Sequence, residues 1–166
     1  MKLPQDFREF LELFNAKGVE YMIVGSYALA YYGAPRYTGD IDLFVRRTEV
    51  NALRIIEALK EFGFSFPNLT WNDFIKDDTI IQLGVPPVRI DILTFLSGMD
   101  WDTATKRKVT DKIDGVPVFV IGREDYIANK KASGRIKDLA DIEALGEQIA
   151  TGASDHTIAK CGDQRI

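Results

Sequence analysis

Cysteine is nearly absent. Cys161 is the only one in 166 residues, so no internal disulfide framework holds this chain together, and a reducing cytoplasm suits it. Long apolar runs are missing too: no stretch approaches the roughly 18 residues of a membrane span. The start, Met1-Lys2-Leu3-Pro4-Gln5-Asp6, lacks the apolar region of a secretory signal. Nor is there an excess of positive charge. A net charge of −4 gives no general attraction to nucleic acid or to an anionic membrane, so a cytoplasmic protein with no membrane partner is expected. No repeat and no low-complexity tract interrupts the sequence. What is there is 46% hydrophobic and 28% charged, ordinary for a globular domain. One domain is expected over 1–150, followed over 151–166 by a polar, aperiodic, flexible tail whose His156 and Cys161 are given no role.

Phe7, Phe10, Leu11 and Phe14 recur at helical spacing and predict a helix over about 5–17. Tyr21-Met22-Ile23-Val24 reads as a short buried strand ending at Gly25, and a helix from Ser26 to about Tyr32 follows. Ile41, Leu43 and Val45 alternate with Asp40, Asp42 and Phe44, which is strand periodicity with both carboxylates on one face. A helix over 49–62, strands at 80–83 and 88–93, a hairpin over 109–121 turning at Asp114-Gly115, and helices over 123–133 and 136–149 complete the reading. This order predicts an α/β (α+β) architecture, a mixed sheet flanked by helices with a helical pair at its C-terminal end.

Three groups of residues carry possible chemistry. Gly25-Ser26 lies at a strand-to-helix turn, where a glycine lets the backbone approach a ligand and free N–H groups favour an anion; Ser26 either touches a phosphate or caps the helix. Asp40 and Asp42 share a strand face and could hold one hard cation together, although Asp-x-Asp also occurs on solvated strand edges. Asp91 sits inside an apolar strand, where a buried carboxylate needs a partner. That partner is either a metal shared with Asp40 and Asp42, or a salt bridge to Arg89 or Arg36.

Taken together, Gly25-Ser26, Ala28-Leu29, Gly33, Arg36, Thr38 and Asp40-Ile41-Asp42, with Asp91 on a later strand, resemble the DNA polymerase β-like nucleotidyltransferase superfamily. More narrowly, this order resembles the abortive-infection (AbiEii-type) toxin branch and its small bacterial relatives. Lys130, Arg135, Lys137-Asp138 and Asp141 resemble a second motif of that branch. The chain departs from the branch in carrying Ser26 for a second glycine, and the extended helical C-terminal region of the larger toxins of that branch is not expected here.

The resemblance implies a nucleotidyltransferase fold and the transfer of a nucleoside monophosphate from an NTP to an acceptor hydroxyl, with pyrophosphate leaving. It implies Mg²⁺ (or Mn²⁺), held as two ions about 3.5–4 Å apart. Asp40 and Asp42 would hold both, while Asp91 would hold the acceptor-side ion and take the hydroxyl proton. Gly25 and Ser26 would hold the triphosphate. Lys130 would meet its β and γ oxygens, unless it merely belongs to a solvated helix face. Arg36 would add a bidentate phosphate contact or tie down the Asp40 loop. Thr38, Arg135, Asp138 and Asp141 would stand one layer behind and orient these groups. Tyr27, Tyr31 and Tyr32 are either base-stacking or core, and Lys106-Arg107-Lys108 is either a solvated basic turn or an RNA contact.

The alternative is a non-catalytic nucleotide-binding module, antitoxin-like or regulatory. The acceptor is open among a tRNA end, a protein hydroxyl and a small molecule, and a cognate partner protein would fit a toxin–antitoxin pair. A haloacid-dehalogenase phosphatase fits poorly because the run Asp40-Ile41-Asp42-Leu43-Phe44 lacks the expected Thr. A metal-dependent glycosyltransferase would need a longer nucleotide-binding region ahead of its Asp-x-Asp.

Overall fold

A computed structural model describes residues 1–147. The flexible tail expected over 151–166, with His156 and Cys161, lies outside the described residues. The elements run α1 (Gln5–Ala16), β1 (Tyr21–Val24), α2 (Gly25–Tyr31), β2 (Asp40–Val45), α3 (Glu49–Phe62), a 3₁₀ turn (Trp71–Phe74), β3 (Ile80–Leu83) and β4 (Arg89–Leu93). They continue through α4 (Trp101–Arg107), β5 (Val109–Ile113), β6 (Val116–Val120), α5 (Arg123–Ser133) and α6 (Ile136–Ala144). Among the described residues no helix is long and apolar enough to cross a membrane.

The six strands form one sheet in the order β3-β4-β2-β1-β6-β5. It is mixed, as expected: β1 runs antiparallel to β2 and parallel to β6, while β2 runs parallel to β4. The apolar stripe of α1 builds the core, with Phe7, Phe10, Leu11 and Phe14 all fully buried. Phe10 meets Phe62 of α3 edge-on at 5.2 Å. Burying each such ring contributes about 1.5–3 kcal/mol. At the far end of the sheet Asp114 and Gly115 both take positive φ, 51° and 80°, and close the β5–β6 hairpin with the two-residue turn expected of Asp-Gly.

Three elements depart from the sequence reading, the first being the 3₁₀ turn at Trp71–Phe74, which it left out. The stretch 101–107 is a helix, α4, capped by the Asp100 side chain, which accepts from Thr103 N at 2.8 Å. Only Ala104 of this helix is fully buried, so it shows no apolar stripe to betray it. Its last residue, Arg107, donates to the buried carboxylate of Asp125 at 2.5 Å, and Lys108 lies over the Phe119 ring at 4.4 Å. The run Lys106-Arg107-Lys108 is therefore the end of a helix and its cap, with Lys106 and Arg107 exposed as a solvated basic turn would be. The last helix also ends at Ala144 instead of 149, ahead of Gly146 with φ 78°.

Strand directions decide where the chemistry lies. Because β2 is antiparallel to β1 and parallel to β4, the C-terminal end of β1 and the N-terminal ends of β2 and β4 meet at one end of the sheet. Val24 is paired with Asp42, Asp42 with Asp91, and Asp40 with Arg89.

Candidate active site

Paired residues on neighbouring strands point to the same face, as do residues two apart on one strand. Asp40, Asp42, Arg89 and Asp91 therefore stand together on one face, opposite the buried Ile41 and Leu43. β2 is flanked by β4 and β1, so Asp40 and Asp42 do not lie on a solvated sheet edge. They form the floor of a cleft of about 690 Å³ that is also lined by Gly25, Ser26, Arg36, Thr38, Lys130, Arg135 and Lys137.

Gly25 is what lets the floor form. Its φ is +62°, and a Cβ placed there would lie 2.1 Å from Asp42 Oδ2. Only glycine accepts both the left-handed backbone and that approach. Ser26 follows, buried and lining the cleft, and it does not cap α2: the N-cap position is Val24, with no side-chain cap bond.

Salt bridges, one of the two readings for Asp91, are present. Arg89 Nε donates to Asp91 Oδ1 at 2.9 Å, and its Nη2 donates to Asp91 Oδ2 at 3.0 Å and to Asp40 Oδ2 at 2.5 Å. One guanidinium thus bridges two of the three carboxylates. Thr38 Oγ1 donates to Asp40 Oδ1 at 2.6 Å and orients that group from behind. Asp42 has no ion pair among the described residues, and its carboxyl is pushed up to about 7. Burial is the main cause, followed by the negative charges of Asp40 and Asp91, with Lys130 and Arg89 pulling the other way.

The opposite wall is an ion cluster of α5 and α6. Lys130, expected on phosphate or on a solvated face, lines the cleft but is buried, which excludes the solvated face. Its ammonium lies 2.9 Å from Asp138 and 3.3 Å from Asp141. Arg135 Nε donates to Asp138 at 2.7 Å, and Arg36 grips Asp141 through Nε and Nη2 at 3.0 and 3.3 Å. Arg36 therefore ties the loop ahead of Asp40 to α6, one of its two expected roles. Between them Asp138 and Asp141 pair with all three cations. Burial alone would push the Asp138 carboxyl up, yet the bonds from Arg135 and Lys130 hold it well below the usual carboxylate range.

Tyr27 and Tyr31 of α2 and Tyr32 just after it do not line the cleft. Tyr27 is buried against Phe7, Tyr31 donates to Asp111 at 2.6 Å, and Tyr32 donates to Ile121 O at 2.6 Å. Two lining residues that the sequence reading passed over are Lys137 as a cleft cation and Asn129, whose amide donates to Ser97 O at 2.9 Å and fastens the segment after β4 to α5. A second cavity of about 550 Å³, with Phe44, Arg47, Asp77 and Trp101 among its walls, shares Phe95 and Leu96 with the cleft.

Three carboxylates on one face offer the hard oxygen donors that Mg²⁺ and Mn²⁺ take. The Asp42 carboxyl resists ionisation because it is buried beside Asp40 and Asp91, and a bound cation would offset both effects. Among the described residues no three acidic, imidazole or thiol groups are gathered into a ready-made metal cage, and Arg89 lies between Asp40 and Asp91. The donor set fits such an ion, but the guanidinium has to yield to it.

This architecture is a nucleotidyltransferase fold. The crystal structure of a candidate nucleotidyltransferase from Thermotoga maritima matches it with a TM-score of 0.55, over 84% of this chain and 88% of that one. At 17% identity the likeness establishes the fold alone. The sequence carries the assignment further: a family described as nucleotidyl transferase of unknown function (DUF2204) matches residues 4–160, and the chain belongs to it. No curated protein matches the chain.

Two predictions follow from the charges. Lys130→Met leaves Asp138 and Asp141 short of a buried cation and should cost about 3–5 kcal/mol in urea unfolding. A loss below about 1 kcal/mol would mean that Arg36 and Arg135 satisfy both carboxylates unaided. The second concerns pH, measured with EDTA present. The folded state binds a proton at Asp42 more tightly than the unfolded chain does, so stability falls as pH rises from about 4 through about 7. Asp42→Asn should remove that fall, gaining up to about 4 kcal/mol over wild type between pH 4 and pH 8. Parallel pH profiles for the two proteins would contradict the burial of this charge.

Proposed function

We propose that this protein moves a nucleoside monophosphate from an NTP to an acceptor hydroxyl in the cleft over Asp40, Asp42 and Asp91. The observation that carries the reading is the polarity of the cleft. Its floor presents three carboxylates on one sheet face, while Arg36, Lys130, Arg135 and Lys137 stand among its other walls. A triphosphate bound with a cation needs both signs of charge within a few ångströms, and a purely acidic or purely basic cleft would repel one component.

Asp40, Asp42 and Asp91 are the residues that would hold Mg²⁺ or Mn²⁺. Such an ion supplies neutralisation of the triphosphate and of the charge developing on the leaving pyrophosphate. The chain's own groups do the rest. Gly25 leaves room for the Asp42 carboxylate, and Ser26 offers its hydroxyl from the cleft wall to a phosphate oxygen. Lys137, with the surplus positive charge that Arg36, Lys130 and Arg135 leave over Asp138 and Asp141, gives the triphosphate a positive wall. Asp91 accepts the proton of the acceptor hydroxyl as its oxygen attacks the α-phosphorus. The bond from the α-phosphorus to the bridging oxygen then breaks, and pyrophosphate departs with the bonding pair. The cavity beyond Phe95 and Leu96 is the space into which an acceptor would extend.

One observation favours the alternative, a non-catalytic nucleotide-binding module: both oxygens of Asp91 already accept hydrogen bonds from Arg89. The acceptor, whether tRNA end, protein or small molecule, and any cognate partner protein belong to the proposal. So does kinship with the abortive-infection branch, which the order of Arg36, Thr38, Asp40-Ile41-Asp42 and Lys130 to Asp141 supports.

Incubation with each α-labelled NTP, Mg²⁺ and fractionated cell extract tests the reading. Label should pass to one class of acceptor, and Asp91→Asn should lower transfer by at least ~10²-fold while NTP affinity stays within a few-fold. Tight NTP binding by wild type with no pyrophosphate released in any fraction would hand the site to the binding-module reading.

A further inference from the structure

Arg89 lies where a cofactor cation would have to act. It is the backbone partner of Asp40 across the β2–β4 pairing, and it stands two residues before Asp91 on the same face. Its position against both carboxylates is therefore set by strand register rather than by the drift of a long side chain. Three hydrogen bonds of 2.5–3.0 Å use both Asp91 oxygens and one Asp40 oxygen. A guanidinium fork matches this task because its donors are planar and fixed relative to each other.

We propose that Arg89 is a built-in counter-ion that competes with the divalent cation for Asp40 and Asp91 and gives way when a nucleotide offers it phosphate oxygens instead. The inference rests on the nucleotidyl-transfer reading of the cleft and adds a positioning residue to it. Two facts make the exchange feasible. The Arg89 side chain is 27% exposed and lines the cleft, so it can leave the carboxylates without unpacking the core. Its charge is permanent, so it needs another anion when it leaves, and a triphosphate is one. The free protein thereby avoids three unscreened carboxylates on one face. Metal and nucleotide are then coupled beyond their direct contact, because each removes an obstacle to the other.

The probe is Mn²⁺ alone, titrated into the full chain and followed by the loss of its free-ion paramagnetic resonance signal. Wild type should bind Mn²⁺ weakly by itself and at least tenfold more tightly with a non-hydrolysable NTP. Arg89→Met, which keeps the apolar stem, should bind Mn²⁺ alone at least tenfold more tightly than wild type. If Arg89 served only to hold the strands in place, the same change would weaken Mn²⁺ binding. Unchanged or weaker binding by folded Arg89→Met overturns the inference. Should that variant not fold, Arg89→Lys carries the test. A single ammonium cannot reproduce the fork, so Mn²⁺ alone should bind severalfold more tightly, and wild-type affinity in the lysine variant overturns the inference. If neither wild type nor variant binds Mn²⁺ with or without the nucleotide, the metal-dependent reading itself falls. If wild type binds the pair normally and only the Arg89 effect is missing, that reading stands and the counter-ion role does not.

Discussion

The parallel register of β2 against β4 is the constraint on which the site depends. It sets Asp42 beside Asp91 and Asp40 beside Arg89, and a slip of one residue would turn one strand's carboxylates toward the apolar core. Ile41, Leu43, Ile90 and Ile92 are all buried on the other side, so the hydrophobic effect that holds the sheet together also holds the charges in place. Gly25 then brings β1 and α2 against Asp42, closer than any side chain would permit.

Electrostatics divides the cleft into two parts with opposite needs. The acidic floor buries Asp42 beside two other carboxylates, and both the burial and their charge raise its carboxyl. The α5–α6 wall is internally satisfied: Lys130, Arg36 and Arg135 meet Asp138 and Asp141 in bonds and ion pairs of 2.7–3.3 Å. Each buried charge of the wall is thereby partnered, which is what keeps its burial tolerable. Only the floor is left wanting a ligand. Membership of a nucleotidyl transferase family agrees with a site in which the incoming substrate and its cation complete the charge balance.

Much of this was legible in the order of residues. Period-two alternation from Asp40 to Val45 placed both carboxylates on one face, and the anomalous Asp91 in an apolar strand flagged a partnered charge. Apolar stripes, short apolar runs and one Asp-Gly hairpin gave most of the helices and strands. What stayed hidden depends on contacts distant in sequence. Lys130 looks like half of a surface Lys-Lys pair, and only the packing of α6 on α5 reveals it as buried. Arg89 was visible as a possible partner of Asp91, but its second bond, to Asp40, requires the strand pairing. The helix α4 escaped notice because a seven-residue element with one fully buried side chain carries too little periodicity to read.

The central claim is that the Asp40–Asp42–Asp91 face receives the cation of an NTP complex. Anomalous diffraction from crystals of the protein grown with Mn²⁺ and a non-hydrolysable NTP tests it directly. The account predicts a Mn²⁺ peak within ligating distance of Asp40 and Asp42, the triphosphate between that peak and Ser26, and Arg89 released from Asp40. A nucleotide seated elsewhere, or one bound in the cleft with Arg89 still bridging Asp40 and Asp91 and no Mn²⁺ peak on the floor, would contradict it.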